Sequence, residues 1–200
     1  MSLQFSIIVA CNAEGGIGRN NAIPWKIKAD LKYFSDVTRS TSTSTSSTIT
    51  NKHKNIVIMG RKTWESLGKK PLPGRINMVI SSQLQEGSGS GGGSVFFSTS
   101  LQRALQTIKL VWDDNIHQEV FVIGGEQLYK AAITMPECTK VYITQVHSRI
   151  ADKAYIQQCD TFFPKDIMAQ LFHETEESKQ NKWLYENEWM YRFAVFERNA

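Results

Sequence analysis

An α/β sandwich is predicted by three features of the sequence. Short runs rich in valine and isoleucine recur without polar alternation, as strands buried on both faces of a largely parallel sheet require. Segments with a single apolar stripe alternate with those runs. At two junctions glycines stand where a strand would hand over to a helix.

The runs follow one another along the chain: "FSIIVAC" from Phe5, "NIVIM" before Gly60, "INMVIS" from Ile76, "VFF" at Val95, "EVFVI" before Gly124 and "KVYITQV" from Lys140. Helices are expected over residues 26–37, 61–67, 101–110 and 126–135, the third with Ser100 as its N-cap. Beyond Pro164 two longer mixed stretches, "LFHETEES" and "WMYRFAVFER", flank a polar turn region around Gln180 and Asn181. They predict a terminal antiparallel hairpin on the sheet's edge. "STSTSTSST" from Ser40 and "GSGSGGGS" from Gly87 hold too little apolar material to pack. Flexible surface loops are expected near residues 40–53 and 86–94, the second similar to a synthetic linker.

Two hundred residues with 41% hydrophobic and 21% charged content suit one core, hence a single domain over residues 1–200. The net charge of +4 arises from 23 basic and 19 acidic residues scattered along the chain, so no nucleic-acid arm is expected. Cys11, Cys138 and Cys159 form no CxxC pair and leave one over, against a disulfide framework or a zinc site. A reducing, cytoplasmic setting is the expectation. His53, His117, His147 and His173 are dispersed, so no metal is assigned. The apolar start lacks a basic leader and nothing approaches the length of a membrane span, so a soluble, unprocessed chain is expected.

One acid is out of place. At 3.6 residues per turn, Ile27, Asp30, Leu31 and Phe34 share a stripe, while Lys28, Ala29, Lys32 and Asp36 point away. Burying a lone carboxylate costs several kcal/mol unless donors or a cation meet it. Either Asp30 lies half exposed at the stripe's edge, as most helical aspartates do, or a ligand supplies the donors. Upstream, the glycine-rich turn Gly15-Gly16-Ile17-Gly18 and then Ile23-Pro24-Trp25 make a loop that could fold over a flat ring.

In "VIMGRKTW" a strand ends at Gly60 and a helix opens with Arg61, Lys62 and Thr63 at its positive end, a seat for phosphate. In "VFVIGGEQLY" Gly124-Gly125 again precede a helix and allow close backbone approach to an anion. Each alone could be a tight turn without a ligand. Both lie at the carboxyl ends of expected parallel strands, where open sheets bind ligands. A Rossmann fingerprint is absent, since Asn21 stands where a third glycine is needed and Pro24 intervenes. Walker A, GxSxG and HExxH patterns are missing too.

Taken in order, "IIVAC", "GGIGRNNAIPW", "IKADLKYF", "VIMGRKTWESL", "PLPGRINMVISS", "VFVIGGEQLY", "YITQV" and "DTFFP" are similar to the dihydrofolate reductases, of eukaryotic type, over nearly the whole length. The resemblance implies a central eight-stranded mostly parallel sheet with an antiparallel C-terminal strand and helices on both faces. It also implies reduction of 7,8-dihydrofolate to 5,6,7,8-tetrahydrofolate by hydride transfer from nicotinamide C4 of NADPH to pterin C6, with protonation at N5. A role in one-carbon metabolism and thymidylate synthesis, antifolate inhibitors, a cytoplasmic location and a monomer without nucleic-acid or membrane partners are expected with it.

By that resemblance Asp30 accepts paired hydrogen bonds from the pterin edge. Thr144 bonds the Asp30 carboxylate and Trp25 holds an ordered water, making these three the catalytic set. Ile23, Leu31, Phe34 and Ile123 would line the pterin slot, Leu67 and Leu72 the aminobenzoyl ring, and Arg75 would clamp the substrate's α-carboxylate. Ala10 and Ile17 would offer backbone groups to the nicotinamide carboxamide. Gly60, Lys62, Thr63, Gly124, Gly125, Glu126, Gln127 and Leu128 would surround the remainder of the cofactor, with Arg61, Ser81 and Ser82 at the 2′-phosphate. Gly124 to Gly125 would be a cis peptide bond.

Two positions depart from the family pattern. Glu126 replaces a small neutral residue and would repel the pyrophosphate unless it turns outward. Ser82 stands at a position that is arginine in several relatives, leaving more of the recognition to Arg61. A binding module without turnover is disfavoured because Asp30, Trp25, Thr144 and Arg75 are all present. A reductase of riboflavin biosynthesis would need neither the Pro-Trp-x4-Asp spacing nor the Arg75 clamp.

Overall fold

The structure is a computed structural model and describes residues 3–39, 54–83, 87–88, 93–111, 119–149 and 159–200. In chain order its elements are β1 (Phe5–Cys11), β2 (Gly16–Gly18), α1 (Lys28–Thr38), β3 (Ile56–Gly60), α2 (Arg61–Ser66), β4 (Ile76–Ile80), β5 (Gly87–Ser88), β6 (Val95–Ser98), α3 (Leu101–Val111), β7 (Val120–Gly124), α4 (Glu126–Ile133) and β8 (Cys138–Ser148). There follow β9 (Thr161–Phe162), α5 (Lys165–Leu171), β10 (Phe172–Glu174), α6 (Glu176–Lys179), β11 (Leu184–Glu186) and β12 (Trp189–Arg198).

Eight strands in the order β10-β12-β8-β1-β7-β3-β4-β6 make the expected sheet, extended to ten by the short β5 beside β6 and β11 beside β12. The six strands from β8 to β6 pair in parallel, and β12 runs antiparallel to β8. The α/β class read from the apolar runs is therefore the observed one. Side chains alternate along each strand, so the sheet feeds two cores. Ile7 and Val9 of β1, Ile56 and Ile58 of β3 and Val122 of β7 pack with α3, α4 and α5. Ile8, Val57, Met59, Val79 and Phe121 pack on the opposite face with Trp64 of α2 and Phe34 and Val37 of α1. Helices thus cover both faces, which explains why these strands read as unbroken apolar runs.

Ser100 caps α3 as expected, accepting from the Arg103 N–H at 3.2 Å. Helix α1 starts two residues later than expected because Ile27 is extended (φ −121°, ψ 110°). The C-terminal stretch needs a larger correction. "LFHETEES" is not one long strand: only Phe172–Glu174 pairs with β12, and Thr175 ends that pairing by capping α6, its hydroxyl accepting from the Ser178 N–H. Strand β12 instead pairs along β8, from Trp189 with Ser148 to Glu197 with Lys140. Its tight hairpin is with β11 and turns at Asn187, whose φ of 54° suits asparagine. Helix α5 was not foreseen, since seven residues give too few turns for a periodic signal.

Residues 40–53, 86 and 89–92 of the two expected loops lie outside the described residues. Within the second loop, Gly87–Ser88 pairs with β6 rather than standing free. Among the described residues no helix is long and apolar enough to cross a membrane.

Arg198 closes the far end of the fold. Its guanidinium donates to Ile133 O at 2.8 Å, Met135 O at 2.7 Å and Cys138 O at 2.7 Å, satisfying carbonyls where α4 ends and β8 begins. It also lies over the Phe172 ring, 4.6 Å from the centroid. Replacing Arg198 by Ala is expected to cost about 2–4 kcal/mol, because several charge-assisted bonds are lost together. Urea unfolding measures this as a lower midpoint at unchanged slope. A midpoint equal to that of the parent would remove Arg198 from the account of stability.

Candidate active site

The site is assembled at the carboxyl ends of the parallel strands, beside the place where the chain reverses its direction of crossover around β1. Two halves flank this point. One is built on α1 and β8, the other on the turns after β3 and β7.

In the first half Asp30 is buried on the inner face of α1, next to the fully covered Ile27. The exposed-edge reading of this acid is therefore set aside. Burial raises its pKa, and a hydrogen bond from the Thr144 side chain partly opposes that rise. Thr144 is buried on β8 opposite Ala10 of β1 and Phe193 of β12. Asp30 has no ion pair among the described residues. Trp25 is also buried, and its Nε1 has no hydrogen-bond partner among the described residues.

Apolar groups surround the acid unevenly. Phe34, Leu67, Leu72 and Ile123 are partly buried and pack against one core cluster, which leaves part of each side chain uncovered. Ile23 and Leu31 are 56% and 59% exposed, a large apolar surface beside a buried carboxylate. At the outer end of this stripe Arg75 is buried, donating from Nη1 to Thr38 Oγ1 at 2.7 Å and from Nε to Pro73 O at 3.2 Å. Its guanidinium stands 5.6 Å from the Phe34 ring centroid. Burial, and then the neighbouring charge of Arg39, push its pKa down to about 10. Arg75 lacks a carboxylate partner among the described residues, so this end of the cleft suits an anion.

The second half is a backbone cradle. Met59 pairs with Gly124, which brings Gly60 against the next turn. A methyl on Gly60 would sit 3.5 Å from Gly125 N, and one on Gly124 or Gly125 would sit 3.1 or 3.3 Å from Thr63 Oγ1. Gly124 has φ of 136°, where only glycine is at ease, and its bond to Gly125 is cis, as the resemblance implies. Helices α2 and α4 both begin here, and neither N-cap, Gly60 or Gly125, makes a side-chain capping bond among the described residues.

Other expected residues take defined places. Glu126 is engaged by Lys130 one turn on, at 2.6 Å, which offsets the repulsion its charge would bring. Arg61 pairs with Glu65 at 2.8 Å. Ser81 is buried at the end of β4 and Ser82 is exposed, while Lys62 and Gln127 are exposed on the first turns of α2 and α4. The side chain of Leu128 belongs to the core. Ala10 packs against the cluster around Trp25, and Ile17 against the main core.

Loop 15–18 is strapped down by the later segment: Phe163 N–H donates to Gly15 O at 2.7 Å and Lys165 Nζ to Ala13 O at 2.6 Å. Asn12 Oδ1 accepts from Gly16 N–H at 2.6 Å. Thr38, Arg39, Glu65 and Lys130 are the neighbours that sequence reasoning missed. The i,i+4 spacing of the Glu126–Lys130 and Arg61–Glu65 pairs was a usable signal, whereas the approach of Arg39 to Arg75 was not.

The arrangement can bind a flat heterocycle by its donor edge at Asp30, hold an apolar body along Phe34, Ile123, Leu67 and Leu72, and fix an anionic tail on Arg75. The glycine turns after β3 and β7, each opening a helix, have the chemistry that anions take at helix starts.

A family model described as dihydrofolate reductase matches residues 4–198. The Drosophila melanogaster dihydrofolate reductase is 37% identical over 164 residues, 81% of this chain and 80% of that protein. The Pneumocystis carinii dihydrofolate reductase is 38% identical over 166 residues, 80% of this chain and 74% of that protein. Similarity extends to the Arabidopsis thaliana bifunctional dihydrofolate reductase-thymidylate synthase 2, 37% identical over 165 residues, where the match spans only 26% of the longer protein.

A raised folded-state pKa means that the folded protein holds the Asp30 proton more tightly than the unfolded chain does. That contribution to stability is full below the unfolded value and is lost as pH rises through the folded one. Asp30→Asn, without ligands, is therefore expected to melt roughly 2–4 °C above the parent at pH 8, the size of a 1 kcal/mol change in a chain of this length. The gap should close towards pH 4. Equal melting temperatures across this range would show that the carboxylate is not held in a protonating environment.

Proposed function

The chain belongs to the dihydrofolate reductase family and is an enzyme of that kind, and from this premise we propose that it uses NADPH to reduce 7,8-dihydrofolate to 5,6,7,8-tetrahydrofolate. The observation that carries this reading is a buried carboxylate, Asp30, whose pKa burial raises and which is paired with no cation among the described residues, so that a planar donor edge completes its hydrogen bonding.

In the proposed mechanism NADPH, when bound, supplies the hydride that C6 receives from nicotinamide C4. The protein aligns and polarises. Asp30 takes the 2-amino group and ring nitrogen of the pterin, with Thr144 setting the plane of its carboxylate. Phe34, Ile123, Ile23 and Leu31 hold the ring where the two carbons meet and keep water from their faces. Asp30 does not touch N5. Burial raises its pKa, and the buried Nε1 of Trp25 is a donor for a water that would relay the proton to N5. Leu67 and Leu72 hold the aminobenzoyl ring, and Arg75 clamps the α-carboxylate in place of the missing acid partner.

The glycine cradle fits the dinucleotide because side chains at Gly124 and Gly125 would crowd Thr63 Oγ1. Lys62, Thr63, Gly60, Gly125, Glu126, Gln127 and the backbone of Leu128 would hold the pyrophosphate, while Ala10 and Ile17 would hold the carboxamide. Arg61, Ser81 and Ser82 would receive the 2′-phosphate, Arg61 exchanging Glu65 for it. A cytoplasmic monomer that supports one-carbon metabolism and thymidylate synthesis and is open to antifolates completes the proposal.

Purified protein should oxidise NADPH only when dihydrofolate is added, and oxidation of neither nicotinamide would favour a binding module. Asp30→Asn should lower turnover at pH 7 by about 10²-fold or more while NADPH affinity stays within about twofold. Unchanged turnover would reject its role. Arg61→Ala should reduce the preference of kcat/KM for NADPH over NADH by about tenfold, the effect of losing one charge-assisted contact. An unaltered ratio would move 2′-phosphate recognition elsewhere.

A further inference from the structure

We propose that Glu186 is a positioning residue for Asp30: reaching across from the C-terminal hairpin, its carboxylate caps the N-terminus of α1 and sets where Asp30 stands in the cleft. The inference rests on the role given to Asp30 above.

Helix α1 cannot cap itself. Its N-cap residue is Ile27, which has no side-chain acceptor, so the N–H groups of the first turn need an outside partner. Glu186 supplies it. The Lys28 N–H donates to Glu186 Oε1 at 2.8 Å and the Ala29 N–H to Glu186 Oε2 at 3.1 Å. Both carboxylate oxygens are used on consecutive N–H groups, which fixes the rotation of the first turn as well as its position. Asp30 is the next residue, so the direction of its Cβ follows directly from that rotation. These bonds also hold Glu186 below the usual carboxylate range, keeping it ionised when the helix end needs an acceptor.

The same hairpin governs the partner of Asp30. Glu186 pairs with Trp189 across the turn, and β12 continues to Phe193, which lies opposite Thr144 and stacks on Tyr33 of α1 at 4.0 Å between centroids. Trp189 and Tyr191 pack with Trp25 and Ile27 in one cluster. A surface cleft of about 360 Å³, lined by Ile23 to Lys26 and Asn187 to Trp189, flanks this junction. Glu186 thus ties the hairpin to α1 at an otherwise loosely filled border.

The groups that act on or respond to Asp30 are few. They are Thr144 from β8 and the phenols of Tyr33, Tyr129 and Tyr191 from α1, α4 and β12, all raised above the ordinary tyrosine value and neutral near pH 7. At the helix end stand the charges of Glu186 and Lys28. Without Glu186, two bare N–H dipoles and a looser turn both favour the charged form of Asp30. Its titration should move down.

The test labels the full chain with ¹³Cγ-aspartate, assigns the Asp30 signal by its loss in Asp30→Asn, and titrates the parent, Glu186→Ala and Glu186→Gln. In Glu186→Ala the Asp30 midpoint is expected to fall by about 0.5 on the pH scale, while Asp36, Asp160 and Asp166 stay in place. Glu186→Gln, which keeps one acceptor oxygen, should recover part of the difference. With substrate, Glu186→Ala should raise KM for dihydrofolate about fivefold, leave NADPH affinity within about twofold, and be partly rescued in Glu186→Gln. A lower melting temperature with the Asp30 titration and KM unmoved would overturn the proposal, leaving Glu186 a stabilising cap. If Glu186→Ala does not fold, Glu186→Gln is judged by the same two readouts. A moved titration in a protein that does not reduce dihydrofolate would uphold the positioning role and reject the substrate, because the titration uses no ligand.

Discussion

The constraint on which the site depends is the burial of one carboxylate that has no cationic partner among the described residues. Water would serve Asp30 better than this environment does, and the difference is held available for a ligand that brings its own donors. Holding an acid in such a state requires rigid walls. Helix α1 supplies one and the β8–β12 pair the other, with Phe193 and Tyr33 stacked between them. The core strands β1, β7 and β3 then locate those walls relative to the glycine cradle, so that the two ligand seats cannot drift apart without breaking parallel pairing.

The cradle follows a different logic. There the protein contributes absence: no side chain at Gly60, Gly124 or Gly125, and two helix starts without a side-chain cap among the described residues. Charged residues nearby are already committed to neighbours one turn away, Arg61 to Glu65 and Glu126 to Lys130. In the proposed function the backbone would carry the anion-binding chemistry, and Arg61 would have to exchange one partner for another to add selectivity. An acid at position 126 is tolerable for the same reason, since Lys130 answers it locally.

Much of the fold was legible because buried parallel strands write their environment directly into composition: Ile56 to Met59 and Val120 to Ile123 are apolar throughout since both sheet faces are covered. Asp30 was legible as a violation of a pattern, and the paired glycines as places where chain must approach chain. The short elements between Pro164 and β12 were not. Lys165–Leu171 and Glu176–Lys179 are cut off by packing and capping before any period can show, and Phe172–Glu174 is a strand only because β12 lies beside it. Non-local contacts such as Glu186 on Lys28 or Arg39 near Arg75 leave no trace in spacing, because they depend on where the sheet order brings distant segments together.

That sheet order has a consequence for the birth of the protein. Strand β12 is translated after β1 to β11 and α1 to α6, yet it lies inside the sheet, between β10 and β8. The exposed flank of β8 must wait for it, with Thr144 unsupported and the open end of α1 still without an acceptor. Only when this strand has left the ribosome can the pocket close around its acid. A nascent chain stalled short of it could bury most of the central core and still lack an organised binding site.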